Sequence, residues 1–223
     1  MDLNKSYEFF QPESCQDRLH IIGCGAIGST VAENLVRFGL TNIALYDFDV
    51  VEPQNIANQM FRQIDIGKPK VEALAEMLCD INPDLKTSLK IVPKGYVGQK
   101  LAGYVFLCVD NIDLRREIVT ACKDNPYVKA MFDFRMRLTD AQHYAADWKN
   151  KKMIEDFLNS MNFSHEEAKK ETPVSACNMT LSVVPTVRMV VAHGVSNFIN
   201  FVKSGEIRKL ILVDSFGHTV DAF

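Results

Sequence analysis

The sequence predicts an α/β protein: a mostly parallel, twisted sheet flanked by helices, with an antiparallel part added toward the C-terminus. Three observations lead there. Residues 19–46 read as strand, glycine turn, helix, strand, the unit from which parallel sheets are wound. Residues 104–109, YVFLCV, are apolar throughout, as a strand buried on both faces of a sheet must be. Residues 129–135 and 142–148 form two further strand-like runs around Leu138-Thr139-Asp140, which reads as a hairpin. With 223 residues, 47% of them hydrophobic and 24% charged, the chain is long enough to bury a sizeable core as one domain over 1–223.

The elements follow in order. Residues 1–18 read as an irregular arm or short strand, because Pro12 and the polar run ESCQDR argue against a long helix. The first strand is 19–22. A helix covers 29–38 and stops at Gly39, the residue type that ends helices in a left-handed conformation. The second strand, 43–46, ends at Asp47, and 53–64 reads as loop with one or two short helical turns. Over 70–81 the apolar residues Val71, Leu74, Ala75 and Leu78 recur at helix spacing, and Asn82-Pro83 ends the helix. A third strand is predicted at 85–92, a short helix at 97–101, the apolar strand at 104–109 and a helix at 111–122. After the hairpin come a helix at 153–161 and another opening at Ser164, where Glu167 completes a capping box. The charged run 149–170 reads as a solvated face. A long apolar helix over 181–202, interrupted by Pro185, precedes a closing strand at 209–213 and a short tail at 215–223.

Charge and composition exclude some classes of function. A net charge of −3 and a pI near 6.0 give no reason to expect nucleic acid or an anionic membrane surface as partner. No apolar run approaches the ~20 residues needed to cross a bilayer. The opening residues lack the apolar core of a signal peptide, and the expected location is cytoplasmic. None of the six cysteines is spaced as C-x-x-C. Cys24, Cys79, Cys108 and Cys122 lie in apolar surroundings and read as small buried hydrophobes.

The chemistry concentrates in residues 19–70. Gly23, Gly25 and Gly28 spell G-x-G-x-x-G between a strand and a helix. The first glycine permits the tight turn, the second lets a phosphate approach bare backbone, and the third lets helix and strand pack closely. The helix N-terminus adds unpaired N–H groups and a positive dipole end. Asp47 lies where an acidic residue holds ribose hydroxyls in nucleotide-binding folds. A nicotinamide-dependent oxidoreductase needs only that acid, yet Asp49, Asn55, Gln59, Arg62 and Lys70 follow in a dense polar run. Cations and amides at that density suit phosphates on which charge builds during transfer. Asp110 stands at the carboxyl end of the apolar strand, where open parallel sheets bind ligands. It should share one crevice with the glycine turn and Asp47.

These residues resemble the adenylyltransferase superfamily of ThiF, MoeB and the ubiquitin-activating enzymes. Its motifs stand here as GCGAIG, Asp47-Phe48-Asp49, Asn55-Ile56-Ala57-Asn58-Gln59, Gly67-Lys68-Pro69-Lys70 and Asp110-Asn111. The resemblance is clear over about 19–125 and fainter over 172–202. It implies a nucleotide-binding half at 19–125 and a carrier- or substrate-binding and dimer half at 126–223. The implied activity is ATP-dependent adenylation of a carboxylate, foremost the C-terminus of a small ubiquitin-like or sulfur-carrier protein ending in Gly-Gly, by a homodimer. The alternatives are another carboxylate (a peptide terminus or a tRNA-linked group), or a pseudoenzyme that binds nucleotide or carrier without catalysis.

Residue by residue, the resemblance implies backbone donors at Gly23, Gly25 and Gly28, and ribose binding by Asp47. Asn55, Gln59 and Arg62 would reach the phosphates, and Asp49 and Asn58 would belong to the same nucleotide site. Lys70 would meet the α- or β-phosphate, and Asp110 would hold Mg²⁺, which suits one or two carboxylates plus phosphate oxygens. Asn58 stands where the superfamily carries an arginine, and Arg62 or Lys68 are the candidates to supply the missing charge. An N-terminal R-Y-x-R-Q motif is absent, and Arg18 directly precedes the first strand. Some relatives bind zinc through two C-x-x-C pairs; neither occurs, so no structural zinc is expected. Cys177, in the loop ETPVSACNMT, stands where some relatives carry a persulfide or thioester. With no basic neighbour to lower its pKa, the reading leans to a passive cysteine.

Overall fold

The computed structural model describes residues 1–175 and 181–223. One sheet of eight strands runs through the molecule in the order β3-β2-β1-β4-β5-β6-β7-β8. Its parallel part contains β1 (Leu19–Ile22), β2 (Ile43–Tyr46), β3 (Lys90–Val92), β4 (Gly103–Leu107) and β5 (Val128–Met136). Three strands, β6 (Asp140–Asp147), β7 (Leu210–Asp214) and β8 (Thr219–Ala222), continue the sheet antiparallel from β5. The helices are α1 (Ala26–Arg37), α2 (Lys70–Ile81), α3 (Ile112–Cys122), α4 (Lys151–Asn159), α5 (His165–Glu171) and α6 (Val184–Ser204).

The two faces of the sheet bury separate cores. On one face α1, α2 and α6 cover Ile21, Leu45, Phe106 and Phe132, with Phe198 of α6 edge-on to Phe106 at 5.2 Å. On the other, α3 and α4 cover Ile22, Val105, Leu107 and Met131. Alternate residues of one strand thus serve opposite layers, which is why β1, β2 and β4 carry no polar break except His20. Burial lowers His20 to about 4; it sits between the Tyr46 hydroxyl and the Ala102 carbonyl, each at 2.9 Å.

Several expected elements differ. The strand predicted at 85–92 is only Lys90–Val92. Its first half is a 3₁₀ turn, Pro83–Thr87, started by Pro83 and by Asn82, whose side chain accepts from the Asp84 N–H. No helix forms over 97–101: the Val97 N–H is taken by the Gln99 side chain at 2.8 Å, a local bond that competes with helix. Pro185 does not interrupt α6 but lies in its first turn, where a missing N–H costs nothing. The tail contains β8, paired with β7 from Asp214↔Thr219 to Ile211↔Ala222. The helix predicted at 29–38 begins three residues earlier, at Ala26, because Gly28 is inside its first turn.

Among the described residues no helix is long and apolar enough to cross a membrane. Cys24 and Cys122 are buried, while Cys79 and Cys108 are partly covered. Burial pushes the Cys122 thiol up to about 11 and Cys24 and Cys108 well up as well.

Candidate functional site

Backbone register brings the predicted residues together. Ile22 at the end of β1 stands level with Tyr46 of β2 and Leu107 of β4. The chains leaving those three strands therefore emerge side by side, and they carry Gly23, Asp47 and Asp110. The joins are tight. The Gly23 N–H donates to the Tyr46 carbonyl and the Cys108 N–H to the Ile22 carbonyl, both at 2.8 Å.

The glycine turn accommodates little else. Gly23 has φ +94°, and a side chain there would also press on the Cys108 carbonyl at 2.8 Å. A Cβ on Gly28 would lie 1.8 Å from the Gly23 oxygen, so helix and turn touch through backbone alone. Over Gly25 the space is open, and no side chain caps α1. The first-turn N–H groups of a twelve-residue helix thus lie beneath an open face, a place suited to a phosphate.

Asp47 clamps the turn from the neighbouring strand. One carboxylate oxygen accepts from the Cys24 N–H at 2.6 Å and the other from the Asp49 N–H at 2.8 Å. Each oxygen keeps a further lone pair that a ribose hydroxyl could use. From Asp49 the chain runs out and returns. The Val51 N–H reaches the Lys68 carbonyl, the Gly67 N–H the Val51 carbonyl, and the Lys70 N–H the Asp49 carbonyl, at 2.8–2.9 Å. This closure places Lys70 at the start of α2 with its ammonium 2.8 Å from the Asp49 carboxylate, and Lys70 is only 7% exposed.

The rest of the polar run is held by its own cations and carboxylates. The Asn55 side chain accepts from the Glu52 N–H at 2.9 Å and so shapes a 3₁₀ turn. Arg62 forks onto Asp65 and lies 4.0 Å from Asp80, while Lys68 pairs with Asp65 and Glu76. Both candidates to replace the charge missing at Asn58 are thus already engaged. Asn58 is half-buried at the end of that turn. Gln59 keeps its amide oxygen buried and without a partner, an unmet polar group of the kind ligand sites retain.

Asp110 is exposed, and among the described residues it makes no hydrogen bond or ion pair. The cap of α3 is its neighbour: the Asn111 side chain accepts from the Asp113 and Leu114 N–H groups at 2.9 and 3.1 Å. Asp110 is therefore spare, as a metal ligand would be. No group of three or more His, Cys, Asp or Glu among the described residues is placed to hold a metal, but Mg²⁺ requires only one or two carboxylates beside phosphate oxygens. Cys177 lies outside the described residues, and Arg18 is spent on the Ile43 and Ser88 carbonyls.

Beneath Asp110 lies a network that the sequence reading did not single out. Arg115 of α3 donates to the Val109 carbonyl, the Asp133 carboxylate and, at 2.8 Å, the Phe134 carbonyl. Arg135 reaches the other Asp133 oxygen at 2.6 Å and the Ser160 carbonyl at 2.7 Å, and its guanidinium lies 4.3 Å from the Tyr144 ring centroid. Asp133 is fully buried. His143, which bonds the Asp133 carbonyl at 3.1 Å, is pushed down to about 4 by burial. One signal was readable: Asp133 sits between Phe132 and Phe134 in an otherwise apolar run, and a charge there needs buried partners.

Comparison with known proteins bears on this geometry. A family model described as the ThiF family matches residues 10–211. The chain belongs to the ThiF family. Among curated relatives, ubiquitin-like modifier-activating enzyme 5 of Culex quinquefasciatus is 32% identical over 140 residues, covering 56% of this chain and 34% of the relative. The enzyme of the same name from Arabidopsis thaliana is 31% identical over 124 residues, covering 47% and 29%. This ThiF-family chain thus spans about a third of the length of those relatives. Among solved structures, E. coli MccB with ATP superposes with a TM-score of 0.74 at 16% identity, covering 95% of this chain and 65% of that one. PaaA superposes at 0.71 with 15% identity, covering 100% and 68%. At such identities the structural likeness establishes the fold.

Proposed function

We propose that this ThiF-family chain is an ATP-dependent adenylyltransferase of the ubiquitin-like modifier-activating type, acting as a homodimer. Its substrate is the C-terminal carboxylate of a small ubiquitin-like or sulfur-carrier protein ending in Gly-Gly. The observation that carries the reading is the meeting of an open, uncapped helix N-terminus, Asp47, Lys70 and a spare Asp110 at the ends of adjacent parallel strands.

In the reaction a carboxylate oxygen attacks the α-phosphorus, and the bond to the β-bridging oxygen breaks. Pyrophosphate leaves with that electron pair. Every reactant is anionic, so the site must screen charge and hold the groups in line. Backbone N–H groups of the glycine turn and α1 hold the phosphates, Asp47 holds the ribose, and the Lys70 ammonium, kept in place by Asp49, faces the reacting phosphate. Mg²⁺ on Asp110 would neutralise charge on the departing pyrophosphate.

A second reading, nucleotide or carrier binding without catalysis, is favoured by one observation: Arg62, Lys68 and Lys70 are all paired with carboxylates nearby. ATP–pyrophosphate exchange in the presence of Gly-Gly-terminated carriers distinguishes the two. Carrier-dependent exchange is expected. ATP binding with no exchange across the carriers supports the second reading, and tight NAD binding without ATP binding overturns both.

A further inference from the structure

We infer that Arg188, on the first turns of α6, binds the terminal phosphates of the nucleotide; the inference rests on the reading of the crevice as an ATP site. Around the polar run, Arg62 and Lys68 face three carboxylates, Asp65, Glu76 and Asp80, and Lys70 faces Asp49. None of this is surplus to screen a polyphosphate. Arg115 and Arg135 share one buried carboxylate, but both are themselves covered and also donate to the carbonyls of Val109, Phe134 and Ser160. On the exposed rim, among the described residues, the balance reverses at Glu33. Glu33 of α1 is shared by Arg37 at 2.9 Å and Arg188 at 3.3 Å, so two guanidiniums stand against one carboxylate.

Position singles out Arg188 of the two. Its Nη2 lies 3.0 Å from the Met60 sulfur. The Met60 N–H in turn donates to the Ser29 hydroxyl at 3.3 Å, and Ser29 directly follows Gly28 in the first turn of α1. Arg188 is thereby tied through one side chain to the anion-binding end of that helix. Arg37 lies two turns farther along α1, at its last residue.

The guanidinium is also half free to act. It is 45% exposed at the side chain. Its Nη1 is oriented by Glu33, while Nη2 is spent on a thioether, a weak acceptor. An anionic oxygen in place of the sulfur would make a charge-assisted bond without breaking the Glu33 pair. The contact would be specific to the β- and γ-phosphates, because the α-phosphate belongs to the glycine turn and Lys70.

Calorimetric titration of the full chain with Mg·ATP and with AMP tests this. Arg188→Ala is expected to weaken ATP binding about tenfold and to leave AMP binding unchanged; Arg188→Lys should recover part of the loss. A structural role in the α1–α6 packing would weaken both nucleotides together, and that result overturns the inference. So does an Arg188→Ala protein that binds ATP as tightly as the wild type. Failure of the wild type to bind either nucleotide removes the ATP reading itself, and Arg188 with it.

Discussion

Two clusters, each of two cations on one carboxylate, lie near the crevice, and they are built on opposite principles. At the outer rim Arg62 and Lys68 converge on Asp65, with the cation side chains 43% and 34% exposed. Under the crevice floor Arg115 and Arg135 converge on Asp133, and the side chains are 7%, 14% and 0% exposed respectively. The sequence draws attention to the first, because it lies inside a run of motifs. The second is the one on which the fold leans, since a buried carboxylate between two guanidiniums is expensive to leave half-paired. The contrast teaches that density of polar residues in a sequence marks where a ligand can be met, while an isolated charge in an apolar strand marks where the structure is committed.

The largest expected effect comes from breaking the buried cluster. Asp133→Asn removes the charge and keeps the shape, leaving Arg115 and Arg135 without a counter-ion in a dry site. A loss of about 3–5 kcal/mol is expected, read from the midpoint of urea unfolding. A loss below about 1 kcal/mol would place the cluster in the class of exposed pairs and erase the distinction.

Asp110→Asn comes next and should separate function from stability. The residue is exposed and its neighbour Asn111 does the capping. Unfolding should be unchanged, while adenylation falls by roughly 100-fold, the scale of losing one electrostatic stabiliser of a transition state. Equal ATP–pyrophosphate exchange in variant and wild type would show that the spare carboxylate has no part in the reaction.

The smallest effect is expected from Asp65→Asn. Asp65 has no exposed surface of its own, yet the side chains that cover it stand in solvent, so screening governs the outcome. A loss of about 1 kcal/mol or less is expected. Arg62 holds the Asp65 carboxyl below its ordinary value of 3.8. The stabilisation is therefore complete above that pH and disappears as pH falls through the lowered folded-state value. Unfolding midpoints of wild type and Asp65→Asn should converge in acid. Midpoints that stay apart would show that Asp65 acts by shape, through its cap on the Arg62 N–H at 2.9 Å.

The sequence by itself determined what rests on local chemistry. The glycine spacing specified a turn and a helix: a side chain at position 28 would strike the Gly23 carbonyl five residues back, and position 23 holds a φ of +94° that favours glycine. Apolar continuity specified a strand buried on both faces, which forms at Gly103–Leu107 and stops two residues short of the predicted end at 109, and its period set which residues serve each layer. Within the motif run at 47–70 it named Asp47, Asp49 and Lys70, which the structure joins beside the glycine turn. Tertiary structure decided the rest. Asn111 rather than Asp110 caps α3, a choice between adjacent polar residues that depends on where the helix meets the sheet. Residues 97–101 lost a helix to one side-chain hydrogen bond, and 219–222 gained a strand because β7 offered an edge. Arg115 of α3 meets Asp133 of β5 across 18 positions of chain, and Arg188 reaches Glu33 across 155. Such pairs leave no local spacing to read, since charges separated that far in sequence are brought together only by the packing of the hydrophobic layers beneath them.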